Sequence, residues 1–201
     1  MKRIALLLSG QPRNVFDSFN KGWSFFIEQY KPDVYLHFWK EADYKNVLQC
    51  YKPKNYISLP KFDFESFSHL NLVKEKNYHH SLPLFLGWQS VINLINSPYD
   101  IVVRSRYDVI PQINLENINY KFLNVSKYHW SYDVIPDDNL MITNLSNAKL
   151  LYSNIYNDLL KIIDQQNSIY NPEMMLKKVI DYKNLNNILL KSTNINFYLN
   201  R

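Results

Sequence analysis

Glycine is scarce in this 201-residue chain, with only Gly10, Gly22 and Gly87. That scarcity excludes the phosphate-binding fingerprints built on several glycines, since no Walker A and no GxGxxG pattern occurs, and it gives each glycine present a positional meaning. The single cysteine, Cys50, excludes an internal disulfide and a multi-thiolate zinc site. No run approaches the ~20 apolar residues of a membrane span. The opening apolar stretch, Ile4 to Leu8, is too short for a secretory h-region, so a cytoplasmic protein is expected. Also missing are internal repeats, low-complexity linkers and any block of five or six like charges. What remains is 46% hydrophobic and 20% charged residues, the composition of one soluble globular domain able to bury its own core.

The net charge of +5 is compatible with an anionic partner, but Lys and Arg are scattered as on any solvated face. Aromatic residues reach 15% of the chain; such rings stack on bases or sugar faces, and most simply pack.

Ile4-Ala5-Leu6-Leu7-Leu8 reads as a strand buried on both faces, ending in the loop Ser9-Gly10-Gln11-Pro12-Arg13. Asn14 is placed to cap the helix that follows. Phe16, Phe19, Trp23, Phe26, Ile27 and Tyr30 recur at helical spacing until Lys31-Pro32. Asp33 to Trp39 is the next strand, so strand, helix, strand implies a parallel pair with a right-handed crossover. Tyr56 to Leu59 reads as a third strand and Pro60 to Ser81 as a long loop. Phe85 to Ile95 reads as a helix and Tyr99 to Arg104 as a strand. Further strands are expected at His129–Val134, Asn139–Thr143 and Ile195–Leu199, with helices at Ala148–Ile163 and Met174–Ile180. The alternation predicts an α/β domain with a mainly parallel central sheet flanked by helices. The whole chain, 1–201, is expected to form this one domain.

Ligands of open α/β sheets sit beyond the carboxyl ends of the strands, so residues just past each strand are candidates. Gly10, Gln11 and Arg13 follow the first strand, where free N–H groups and a guanidinium suit a phosphate; a plain turn with Arg13 on the surface is the other reading. Arg104, Arg106 and Asp108 alternate after the central strand, which suits a diphosphate, a divalent ion or both, or else an internal salt-bridge network. His129 and Trp130 run through Asp133 to Asp137-Asp138, whose carboxylates could take a metal, a sugar hydroxyl or a proton, or make an ordinary turn. Glu173, after Asn171-Pro172, is either a catalytic carboxylate or a helix-start residue. The pair His79-His80 is ill-spaced for chelation.

Leu6-Leu7-Leu8-Ser9-Gly10-Gln11-Pro12-Arg13, followed by Asp33-Val34-Tyr35-Leu36-His37-Phe38-Trp39, resembles the start of glycosyltransferases of large DNA viruses, phages and bacterial surface-polysaccharide clusters. In order after it, Tyr99 to Asp108 resembles that family's central strand with a variant DxD motif. Asp137-Asp138-Asn139 with the helix through Tyr152 and Tyr156 resembles its later acidic block, and Pro172-Glu173 and Phe197 to Arg201 match in kind. The resemblance implies a single-domain GT-A-like fold, with residues 1–110 as its nucleotide-binding part and residues 111–201 as its acceptor-side part, and transfer of a hexose-type sugar from a nucleotide-diphosphate donor, a UDP-sugar first among them, to a glycan or glycoprotein acceptor. It implies Mn²⁺ or Mg²⁺ at the phosphates, with Asp108 as the metal-side carboxylate, although Arg106 stands where a strict DxD has its first acid. Gly10, Gln11 and Arg13 would flank the nucleotide, and Arg104 and Arg106 the phosphates. Asp137, His129 and Trp130 would meet sugar, and Asp138 or Glu173 would be the base. Two other readings of the residues stay open, a sugar-phosphate nucleotidyltransferase and a non-catalytic nucleic-acid-binding module. No membrane span is expected.

Overall fold

The computed structural model describes residues 2–12, 14–40, 44–63, 65, 81–126, 136–166 and 171–200. The chain runs β1 (Ile4–Ser9), α1 (Val15–Ser18), a π-helical turn (Phe19–Trp23), α2 (Ser24–Tyr30), β2 (Asp33–Trp39), α3 (Tyr44–Tyr51) and β3 (Asn55–Leu59). It continues through α4 (Ser81–Ile92), β4 (Ile101–Ser105), β5 (Val109–Ile113), β6 (Leu123–Ser126), β7 (Leu140–Thr143) and α5 (Leu145–Tyr152). The last elements are α6 (Ile155–Gln166), α7 (Pro172–Tyr182), β8 (Leu189–Ser192) and β9 (Ile195–Leu199). Seven strands form one sheet in the order β3-β2-β1-β4-β7-β6-β8, while β5 and β9 form a separate antiparallel ribbon.

β1 lies parallel to both β2 and β4, as the buried apolar run at Ile4 to Leu8 predicts for a strand covered on both faces. β2–β3 and β6–β8 are also parallel, whereas β7 runs antiparallel to β4 and to β6. Side chains alternate between two cores. Ala5, Leu7, Tyr35, Val102 and Met141 pack under α4, α5, α6 and α7, with Trp88 and Phe85 at the centre. Leu6, Leu8, Leu36, Phe38, Val103 and Ile142 pack on the other face beneath α1–α3, where the ribbon adds Val109, Ile195 and Phe197.

Several expectations are corrected here. The stretch Phe16 to Tyr30 is helical but passes through the π turn, and Gly22 lies there against the ribbon: a Cβ on it would stand 2.6 Å from Pro111 Cδ. Asn14 does not cap. It holds φ 49 without a side-chain capping bond, and its amide instead donates to the Asn200 carbonyl at 3.4 Å. The helix expected over 148–163 is two helices, each with its own apolar face, broken between Tyr152 and Ile155. Neither α3, β6, β8 nor the pairing of β5 with β9 was apparent from periodicity; α3 buries only Val47 and Tyr51, and β8 is largely exposed. The strand expected at 129–134 lies outside the described residues.

Candidate functional site

Because β7 runs antiparallel to β4, with Ser105 opposite Leu140, the residues leading into β7 come to the same end of the sheet as those leaving β4. That pairing sets Asp137-Asp138-Asn139 beside Arg106-Tyr107-Asp108. Two consecutive β4 residues fasten them: the Arg104 Nη1 donates to the Asp138 carbonyl, and the Ser105 hydroxyl donates to the Asn139 carbonyl at 3.1 Å. Within the acidic stretch, the backbone and side-chain amides of Asn139 both donate to Asp137 Oδ1, at 2.8 and 2.7 Å.

Arg106 and Asp108 face the same way and clasp each other. Nε and Nη2 donate to the two carboxylate oxygens at 2.9 and 2.6 Å, a fork with two parallel bonds. Between them Tyr107 turns inward, 1% exposed, and its hydroxyl donates to the His37 carbonyl at 2.9 Å, tying the turn to the end of β2. Arg106 also feels the carboxylates of Asp138 and Asp137.

Asp138 is a perturbed acid. Burial, and after it the charge of Glu173, push its carboxyl up to about 7; Asp137 adds to the rise, while Arg106 and Arg104 oppose it. An acid so placed exchanges its proton near neutrality, which is what a general base or acid requires. Glu173 stands in the first turn of α7 without being its cap. That task belongs to Asn171, whose side chain accepts from Met174 N at 2.9 Å, with Pro172 in the first turn. Glu173 is thereby left as a second carboxylate near Asp138.

Arg104, which the resemblance assigns to the phosphates, is 1% exposed. Its Nε and Nη2 donate to the Tyr152 hydroxyl at 3.3 and 3.2 Å, and its guanidinium lies 4.1 Å from the Trp88 ring centroid. It supports the acidic stretch from beneath. Trp88 and Tyr152 belong to that support and were invisible as such in the sequence, since an aromatic at helical spacing reads as core. Tyr107 and Ser105 carried no signal either.

The β1 side arrives at the same end. Gly10 has φ 120 and a Cβ there would meet nothing within 4 Å, so the backbone angle, not close approach, requires glycine. Gln11 is exposed. Arg13, His129 and Trp130 lie outside the described residues, as do Tyr132, Asp133 and the pair His79-His80. Asn14, next to Arg13, is joined to the β4–β5 turn through the chain end: Asn200 N donates to the Asp108 carbonyl at 2.8 Å, and the Asn200 carbonyl accepts from Asn14. Asn200 Nδ2 reaches Ser18 Oγ at 3.1 Å.

Mn²⁺ or Mg²⁺ takes hard oxygen ligands, and carboxylates are the right chemistry. Yet among the described residues no three of His, Cys, Asp and Glu converge on a point, and both oxygens of Asp108 lie in the Arg106 fork. The described residues thus gather no three-ligand cage, and the Asp108 carboxylate is paired with the Arg106 guanidinium.

No protein-family model matches the chain, and no curated protein matches it in sequence. Solved structures do share its fold. The apo form of the glycosyltransferase GlyE of Streptococcus pneumoniae TIGR4 superposes with a TM-score of 0.54 at 10% identity, over 91% of this chain and 44% of that one. A second GlyE crystal structure gives 0.55 at 10% identity, over 96% and 45%. This chain therefore spans less than half the length of the GlyE chains. Such a likeness establishes the α/β fold, which is one that glycosyltransferases carry, and no described helix is long and apolar enough to cross a membrane.

Proposed function

We propose that the protein is a glycosyltransferase that moves a hexose-type sugar from a nucleotide-diphosphate donor, a UDP-sugar first among the candidates, to a hydroxyl of a glycan or glycoprotein. One observation carries this reading: Asp138, pushed up to about 7, lies within electrostatic reach of Glu173 and of the Arg106–Asp108 fork at the carboxyl ends of β1 and β4. The fold shared with GlyE agrees with it.

The reaction breaks the bond from the anomeric carbon to the diphosphate oxygen and forms one from the same carbon to the acceptor oxygen. Negative charge grows on the leaving diphosphate, and Arg106 is a partly exposed cation at the strand ends to face it. In an inverting transfer Asp138 takes the acceptor's hydroxyl proton, with Glu173 holding that proton's affinity up. The diphosphate is itself an anion entering a site that already holds Asp108, Asp137, Asp138 and Glu173. Its binding calls for cationic charge beyond Arg106, from Arg13 or from a divalent ion arriving with the donor.

Thermal-shift titration of the protein with a panel of nucleotide sugars, with and without Mn²⁺, tests the reading. A ligand that prefers the native state raises Tm by mass action, about 2.7 kcal/mol at a hundredfold excess over Kd. A shift for one donor sugar, unaffected by competitor RNA, is expected. Absence of a shift with every donor, or pyrophosphate release from a nucleoside triphosphate, would sink the proposal.

A further inference from the structure

Arg104 is a cation buried in the core beside no carboxylate within ion-pair distance among the described residues. Taking a guanidinium out of water is costly unless its hydrogen bonds are all made, and a buried apolar side chain of like volume often serves stability better. Stability alone therefore does not account for arginine here. Leucine or methionine would fill the space, but neither could donate to a carbonyl.

The surroundings fix the guanidinium in every direction. In its plane, Nε and Nη2 share the Tyr152 hydroxyl, which lies 3.0 Å from Met141 Sδ on the strand paired with β4. Across its plane, Trp88 presents a ring face with the centroid at 4.1 Å, and Trp88 and Tyr152 meet edge to face at 5.8 Å. The remaining arm, Nη1, is thereby aimed at one atom, the Asp138 carbonyl oxygen. The rigid fork of arginine transmits that orientation where the flexible stem of lysine would not.

We propose that Arg104, locked by Tyr152 and Trp88, is a positioning residue that holds the Asp138 backbone so that its carboxyl faces Glu173 and Arg106. The inference rests on the reading of Asp138 as the proton acceptor in sugar transfer. The groups acting on that carboxyl are Glu173 from α7, Arg106 from the β4–β5 turn, its neighbour Asp137, and Arg104 from β4. Tyr152 on α5 holds Arg104 by its hydroxyl.

Two variants and two measurements test the proposal. Tyr152→Phe keeps the ring and removes the oxygen that anchors two guanidinium nitrogens; Arg104→Lys keeps the charge and removes the fork. With the substrate-free protein, the Asp138 carboxyl is titrated by ¹³C NMR, its signal assigned by its loss in Asp138→Asn. With a donor sugar, kcat and KM are measured separately. Tyr152→Phe should move the Asp138 titration upward and lower kcat about tenfold, the factor one charge-assisted hydrogen bond represents, with donor KM within about twofold. Arg104→Lys should lower kcat about a hundredfold, and where it does not fold Tyr152→Phe decides alone. A folded Tyr152→Phe protein with wild-type kcat and an unmoved Asp138 titration overturns the inference. The two proposals part cleanly: a moved titration in a protein that turns over no donor sustains the positioning role and removes the transferase, and turnover with an unmoved titration does the reverse.

Discussion

Below the strand ends, buried polar groups are matched in pairs, Arg104 with Tyr152 and Ser9 with His37, although His37 Nε2 and Trp88 Nε1 have no hydrogen-bond partner among the described residues; at the rim above them, charges of one sign are crowded together. Helix α4 lines the floor with two consecutive residues of opposite size. At Gly87 the missing side chain admits Ser9 and His37, whose Oγ and Nδ1 lie 3.1 Å apart, while Trp88 gives its ring to Arg104. At the rim, the charges of Glu173 and Asp137 act on Asp138, and Arg106, whose fork is already engaged with Asp108, opposes them. Paired groups on the floor serve the fold, whereas like charges brought together at the rim are held there at a cost the fold alone does not require. Substitutions on the floor away from Arg104 and its anchors should therefore move stability, and substitutions at the rim should move chemistry, in some cases with stability going the other way.

Asp138→Asn should break the comparison most visibly. It removes the proton acceptor, so donor turnover should fall by at least ~100-fold, the lower range for loss of a group acting in the transition state. Stability should rise. A carboxyl raised to about 7 in the folded chain from an ordinary 3.8 favours folding only while protonated, and that contribution is lost as pH climbs through 7. The neutral amide escapes this loss, so denaturant midpoints at pH 8 should favour the variant. Wild-type turnover in folded Asp138→Asn would remove Asp138 from the mechanism.

On the floor, His37 is fully buried and its imidazole is lowered from 6.5 to about 4 by desolvation alone. Because the unfolded chain takes up the proton first, the stability from keeping His37 neutral is whole above pH 6.5 and drains as pH falls toward 4. The loss should amount to roughly 3 kcal/mol across that window. Comparing urea midpoints of wild type and His37→Asn from pH 7 to 4 measures it, and parallel curves would refute it. Gly87→Ala follows in size. Its Cβ would stand 2.4 Å from Ser9 Oγ and 2.7 Å from His37 Nδ1, so α4 must lift, at about 2 kcal/mol by the usual range for overpacking. Unchanged midpoints would show that the helix gives way freely.

The same contrast marks what could be read before any coordinates. β1, β2, α4, α7 and β9 announce themselves through apolar runs or spacing, because burial selects for both. At the rim, residue types were legible: Arg106 and Asp108 at alternate positions, two adjacent carboxylates, and Glu173 after a proline. Which of them meet was not, since that depends on β7 running antiparallel to β4, a pairing no local pattern encodes. Nor could spacing say that Arg104 turns into the core while Arg106, two residues further along, stays partly exposed. The floor was the least legible region. Trp88 and Tyr152 sit at ordinary helical core positions, and Gly87 looks like a lapse in a helix until Ser9 and His37 are placed against it.

The smallest expected effect belongs to Arg106, where the two regions touch. Its ion pair with Asp108 is partly exposed, with side chains 31% and 11% accessible, so Arg106→Gln should cost the fold about 1 kcal/mol or less. Its effect on ligand should be larger than on stability. Losing the guanidinium should weaken binding of a nucleoside diphosphate about tenfold, measured by calorimetry without added metal. The substitution also releases both oxygens of Asp108 from the fork, and a released carboxylate is a hard ligand that a divalent ion can take. Added Mn²⁺ should then restore more affinity to Arg106→Gln than it adds to wild type. Equal gains in the two proteins would mean that the guanidinium and the ion do not compete for Asp108, and that the fork belongs with the matched groups of the floor.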